Sequence, residues 1–241
     1  MIAMGWDCGG HRRGKAPGRY GGGMQTVSFS ASKQARTGTH LMVMLHGYGS
    51  DEGDMEVLFP ALPDGVTGAA VRGGFPVGDE FGWYLLAPDL SAATADVLEA
   101  ATSLFTWLDG ELAAGGYTGV SLLGFSQGMA MASTLLRLRP AAFTAAVGLS
   151  GFIIESELLA MAEPLSEPRP FFWGRDRDDW VIHSGAISFT SGWLERNTVL
   201  TARTYPGMGH ATGAEEMRDI EVFLRRYVAG QPCDDREYKG A

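Results

Sequence analysis

The sequence predicts an α/β fold: a mostly parallel central sheet with helices on both faces and a short cap segment. Three observations lead there. Short apolar runs of strand length alternate with longer runs of helical periodicity, the pattern of strands joined by crossover helices. One β-prone run, Val120 to Gly124, ends in a G-x-S-x-G turn that opens directly into a helix-like run. No internal repeat and no interdomain linker divides the chain.

The elements follow in order. Leu41 to Leu45 (LMVML) is a continuous apolar run, as expected of a central strand buried on both faces. It leads into His46-Gly47-Tyr48-Gly49-Ser50-Asp51, a glycine-dense turn, and a helix over Asp51 to Phe59 with Ser50 or Asp51 as N-cap. Ala69 to Arg72 reads as a further strand, and Glu80 to Pro88 (EFGWYLLAP) as a strand-like approach. Ser91 to Ala114 has helical periodicity, with Val97, Leu98, Ala101, Leu104, Phe105, Leu108 and Leu112 on one face, and Gly115-Gly116 ends it. Val120 to Gly124 is the next strand, and Gln127 to Leu138 the helix behind it, stopped by Pro140. Strands at Ala145 to Leu149, Phe171 to Trp173 and Val199 to Tyr205 complete the sheet, and an amphipathic helix over Glu215 to Val228 closes the fold. Phe152 to Arg169 has no clear strand, carries Pro164 and Pro168, and is the candidate cap.

Composition bounds the function. At 241 residues the chain suits one large α/β domain, and 45% hydrophobic with 20% charged residues is globular and soluble. A net charge of -9 argues against a nucleic-acid partner. No apolar run approaches the roughly 20 residues of a membrane span. Cys8 and Cys233 sit in polar segments without metal-ligand spacing and read as free thiols of a reducing, cytoplasmic compartment. Residues 1–23 are rich in Gly, Arg and Lys with no apolar core. They read as a disordered extension rather than a secretory signal, with Met24 as a plausible start. The domain is expected over 24–230 and a polar tail over 231–241.

The chemistry gathers around Ser126. In Gly124-Phe125-Ser126-Gln127-Gly128 a serine stands on a sharp strand-to-helix turn, and the glycines let strand and helix pass close together. The rival reading, an ordinary tight turn, does not call for the strand–helix setting. A serine hydroxyl is a poor nucleophile at neutral pH and needs a base. Among the five histidines, His210 lies in a flexible loop (YPGMGH) between the last strand and the last helix, where a base can reach over the sheet's carboxyl edge. A base needs a carboxylate to fix its tautomer. Gly174-Arg175-Asp176-Arg177-Asp178-Asp179-Trp180 follows a strand and offers three aspartates, two of them readable as a solvated charge cluster. A tetrahedral intermediate needs N–H donors. The Gln127 amide supplies one, and the glycine turn after the first strand supplies the second, at Tyr48. A phosphate-binding reading of that turn lacks any G-x-x-x-x-G-K-[ST] motif.

With these motifs assembled, the chain from about Val27 to Val228 resembles the phospholipase/carboxylesterase family of α/β-hydrolases, which includes acyl-protein thioesterases and small bacterial carboxylesterases. HGYGSDEGD resembles the family's oxyanion segment, GFSQGM its nucleophile motif with the Gln and the following Met129, FWGRDRDDWVI its acid segment and YPGMGH its base segment. The resemblance implies an α/β-hydrolase fold. Aligned on Trp180-Val181-Ile182, it places the acid at Asp179, with Asp178 one residue off in register and His183 standing where the family has proline. Phe81-Gly82-Trp83-Tyr84 resembles the family's aromatic segment that lines the acyl pocket, so Trp83 reads equally as substrate-facing or as core packing, and Met129 of the nucleophile motif is expected on the substrate side. The implied function is a carboxylesterase acting through Ser126, His210 and Asp179 on a small-molecule ester, with no cofactor and no metal. The same machinery would serve a thioesterase or lysophospholipase. A non-catalytic binding protein on the same fold would not need the intact Ser-His-Asp set.

Overall fold

The computed structural model describes residues 26–161 and 163–230. The expected extension over 1–23, the start at Met24, both cysteines and the tail over 231–241 lie outside the described residues. Strands β1 (Val27–Phe29), β2 (His40–Leu45), β3 (Val66–Val71), β6 (Gly119–Phe125), β7 (Ala146–Leu149), β8 (Arg169–Arg175) and β9 (Thr198–Thr204) form one sheet in the order β1-β3-β2-β6-β7-β8-β9. β1 runs antiparallel to β3 and every other pairing is parallel. A separate hairpin joins β4 (Phe75–Val77) and β5 (Glu80–Gly82).

The helices are α1 (Glu52–Glu56), α2 (Thr94–Gly115), α3 (Gln127–Leu138), α4 (Glu157–Ala160), α5 (Ser184–Asn197) and α6 (Ala214–Tyr227). They cover both faces of the sheet, and the alternation of β2 shows how. Leu41, Val43 and Leu45 point into a core built with α2, α3 and α5, whereas Met42 and Met44 point into a second core with α1 and α6. This is the doubly covered, mostly parallel sheet that the alternation of elements predicts, and it fits the α/β-hydrolase fold that the resemblance implies. The positive φ of 65° at Gly116 ends α2 where the glycine pair is expected to stop it.

Some elements differ from expectation. β1 and β4 are three-residue strands, too short to carry a periodic signal. Of Glu80 to Pro88 only Glu80–Gly82 is strand. α1 is capped by Asp51, whose side chain accepts the Gly53 amide at 2.8 Å, and stops at Glu56, ahead of a 3-10 turn over Phe59–Ala61. α5 is hidden in sequence because Gly185, Gly192 and four serines and threonines dilute its apolar face. Its N-cap is His183, whose Nδ1 accepts the Ala186 amide at 3.1 Å. The 152–169 stretch, expected as a cap, contains α4. Phe152, Ile153, Ile154, Leu159 and Leu165 of this stretch are buried in the α2–α3–α5 core, while Leu158 and Met161 are exposed. The Ile153 amide donates to Thr190 Oγ1 at 2.9 Å and the Leu165 amide to Asn197 Oδ1 at 3.2 Å, which fixes the stretch to α5.

Candidate active site

β6 delivers Ser126 to the carboxyl edge of the sheet with φ 52° and ψ −118°, a left-handed conformation that a non-glycine residue rarely adopts. The turn is held by the Ser126 amide donating to the Leu149 carbonyl at 2.9 Å. Its glycines are obligatory. A Cβ on Gly124 would collide with the Gly128 carbonyl, and one on Gly128 with the Leu45 carbonyl.

Two loops bring partners to the serine. His210, in the loop between β9 and α6, sets Nε2 3.0 Å from Ser126 Oγ and Nδ1 2.8 Å from Asp179 Oδ2. Asp179 Oδ1 accepts the Val181 amide at 2.9 Å, so the carboxylate is oriented from both oxygens. The His210 and Asp179 side chains are only 6% and 2% exposed. The bond to Asp179 makes Nδ1–H the donor and leaves Nε2 free to accept the serine proton. The structure therefore brings together the three residues on which the sequence converges. Among the three aspartates it is Asp179 that meets the histidine, and Asp178 is exposed.

Asp176 departs from the expected solvated cluster. It is buried, and its Oδ2 accepts the Gly209 amide at 2.7 Å while Oδ1 accepts the Asp178 amide at 3.1 Å. These donors hold its carboxyl below the usual carboxylate range. Asp176 thus ties the acid loop to the residue preceding His210. Ser150 Oγ adds a second tie, donating to the Ala211 carbonyl at 3.2 Å.

The glycine turn after β2 lies against the elbow, with Gly47 packed on the Phe125 ring beside Ser126. It is pinned to β5 by the Gly49 and Ser50 amides, which donate to the Phe81 carbonyl at 2.8 and 3.1 Å. Neither the Tyr48 nor the Gln127 amide has a hydrogen-bond partner among the described residues, so both remain available as donors.

The Gln127 side chain has a function that the motif alone did not disclose. It is fully buried; Oε1 accepts the Trp83 amide at 3.0 Å and Nε2 donates to the Tyr84 carbonyl at 2.8 Å. Trp83 Nε1 in turn donates to the His46 carbonyl at 2.8 Å. His46 is buried as well. Its Nδ1–H donates to the Gly47 carbonyl at 2.7 Å and its Nε2 accepts the Gly73 amide at 2.9 Å, a pattern that only the neutral ring satisfies. Burial lowers its pKa accordingly. The residue after the serine therefore supports the glycine turn through Trp83 and His46. Trp83, read equally as substrate-facing or as core, and Met129, expected on the substrate side, are 1% and 0% exposed. Trp83 supports the turn, and the Met129 thioether fills the space beside Gly148 and Gly151, so neither offers surface to a bound ester.

No helix among the described residues is long and apolar enough to cross a membrane. The sequence profile of the phospholipase/carboxylesterase family matches residues 78–228. The chain is 28% identical over 180 residues to the carboxylesterase SOBER1 of Arabidopsis thaliana, covering 72% of this chain and 77% of that protein. It is 30% identical over 112 residues to acyl-protein thioesterase 1 of Kluyveromyces lactis, covering 44% of this chain and 49% of the relative. In three dimensions it is similar to a carboxylesterase from Mesorhizobium loti, with a TM-score of 0.72 at 18% identity, over 83% of this chain and 94% of the other.

Proposed function

We propose, from the premise that this chain belongs to the phospholipase/carboxylesterase family, that it is a serine hydrolase cleaving small carboxylic esters through an acyl-enzyme intermediate. The observation that carries the reading is the unbroken hydrogen-bond chain Asp179–His210–Ser126, at 2.8 and 3.0 Å. Ser126 Oγ attacks the ester carbonyl as its proton passes to His210 Nε2. The resulting imidazolium is stabilised by Asp179. The carbonyl oxygen, now negative, is received by the Tyr48 and Gln127 amides. Collapse of the tetrahedral intermediate breaks the bond to the alkoxy oxygen, which leaves with the proton from Nε2. Water then repeats the sequence: His210 takes its proton, the hydroxyl attacks the acyl carbon, and Ser126 recovers its hydrogen as the acid departs.

Oxygen esters are favoured over thioesters because the carboxylesterase relative matches over more of the chain than the thioesterase relative does. We place the enzyme in the cytoplasm on its sparse cysteine usage. The test is turnover of p-nitrophenyl butyrate beside the matching thioester, with a fluorophosphonate to label the nucleophile. Expected are faster ester turnover and a label on Ser126. Turnover of neither compound, or a label elsewhere, overturns the proposal.

A further inference from the structure

A small, partly open hollow lies beside the triad, between α1 and the loop that follows His210. Met55, Val57 and Leu58 line one wall, Phe125 another, and Ala211 and Thr212 the third. Its enclosed space is well below that of a whole-ligand pocket, and its lining is predominantly apolar. Met55, Leu58 and Phe125 belong to the core beneath α1 and α6, so the hollow lies on the opposite side of the sheet from Trp83 and Met129.

Its position relative to the reacting atoms gives it a direction. Phe125 immediately precedes Ser126 and Ala211 immediately follows His210. The Phe125 ring also packs against the His210 ring, with centroids 5.1 Å apart. The oxyanion of an attacked ester points at the Tyr48 and Gln127 amides. The alkoxy oxygen must lie against His210 Nε2 to receive its proton. A group attached to that oxygen then continues over Phe125 toward Ala211 and Thr212. Asp54, the charged member of the lining, disfavours an anionic group there.

Resting on the esterase reading above, we propose that this hollow is the alcohol subsite and that it selects esters of short, uncharged aliphatic alcohols. With the acyl group held as butyrate and the alcohol lengthened from methyl to butyl, kcat/KM is expected to rise about fourfold per buried methylene. Val57 is 55% exposed at the rim, so Val57→Trp fills the opening without entering the core. It is expected to flatten the alcohol series while leaving the slope of an acyl series at fixed methyl alcohol unchanged. A second measurement does not depend on turnover. In Ser126→Ala protein, titration with 1-butanol should shift the Met55 methyl NMR signal saturably, and Val57→Trp should abolish that shift. A flat alcohol series in an active wild-type enzyme, a slope that survives Val57→Trp, or an unmoved Met55 signal each overturns the subsite. Absence of turnover on every ester with the Met55 shift present would instead remove the esterase reading and keep the pocket.

Discussion

The nucleophile elbow and the paired loops that carry Asp179 and His210 meet within one hydrogen bond of each other, yet they are held by different means. The elbow is a main-chain object. Ser126 keeps its strained φ because its amide bonds to Leu149 and because Gly124 and Gly128 allow strand, helix and β2 to touch backbone to backbone. The loops are joined by side chains: Asp179 to His210, Asp176 to the Gly209 amide, Ser150 to the Ala211 carbonyl. A main-chain device is encoded locally and fails as a whole when altered. Side-chain ties couple residues 31 to 61 positions apart and can be weakened one at a time.

Substitution at the elbow should show the larger loss. Ser126→Ala removes the attacking atom and nothing of the turn, so kcat on p-nitrophenyl butyrate should fall about 10⁶-fold with the circular dichroism spectrum unchanged. Retention of wild-type turnover by that variant would remove the mechanism. In the loops, Asp179→Asn should cost about 10³–10⁴ in kcat, because the amide lets the imidazole adopt the wrong tautomer. Asp178→Asn should stay within about twofold, since that side chain is exposed. Reversal of those two ranks would mean that the Asp179–His210 contact is not the working one.

The same contrast explains what could be read from the sequence. The elbow was legible because its requirements fall within five consecutive residues, and the sheet was legible because buried parallel strands are continuous apolar runs. The order of motifs along the chain located His210 and the acid segment. Three neighbouring aspartates could not be told apart by composition, since burial and partners separate them, and only the family register pointed to Asp179. Asp176 read as solvated charge because its partner is a main-chain amide, which leaves no mark on the sequence. The Gln127 carboxamide and the His46 ring were missed for the same reason. For Trp83 the sequence leaves substrate contact and core packing even, and for Met129 the resemblance implies a substrate-facing place; burial assigns both to support and packing.

Asp176 is the place to sharpen the comparison. Asp176→Ala leaves the Gly209 and Asp178 amides without their acceptor and loosens the loop just before His210. A misplacement of the base by about 1 Å is worth on the order of 10² in rate, so kcat should fall between about 10- and 100-fold. Asp176→Asn keeps one acceptor oxygen, which can serve the Gly209 amide but not the Asp178 amide as well, and should recover part of that loss. Equal damage from both variants would show that one acceptor oxygen does not hold the loop and that the whole carboxylate is required.

The smallest effect lies beneath the base loop and appears in stability instead of rate. Glu216, in the first turn of α6, is fully buried against Gly174 of β8. Burial pushes its carboxyl from 4.5 up to about 8; the charge of Asp219 adds to this and the Gly213 amide opposes it. The unfolded chain releases this proton near pH 4.5, whereas the native protein keeps it until about pH 8. Between those values the native state binds the extra proton, so its stability falls as pH rises and then levels off above pH 8. Glu216→Gln imitates the protonated form at every pH. The melting temperatures of variant and wild type should coincide below pH 4.5 and diverge steadily, the variant being roughly 10–20 °C higher at pH 8. The elbow has no titrating side chain among Gly124, Ser126 and Gly128, so this slope belongs to the loop side alone. Parallel melting curves across that pH range would place the Glu216 charge in contact with water and remove it from the account of the base loop.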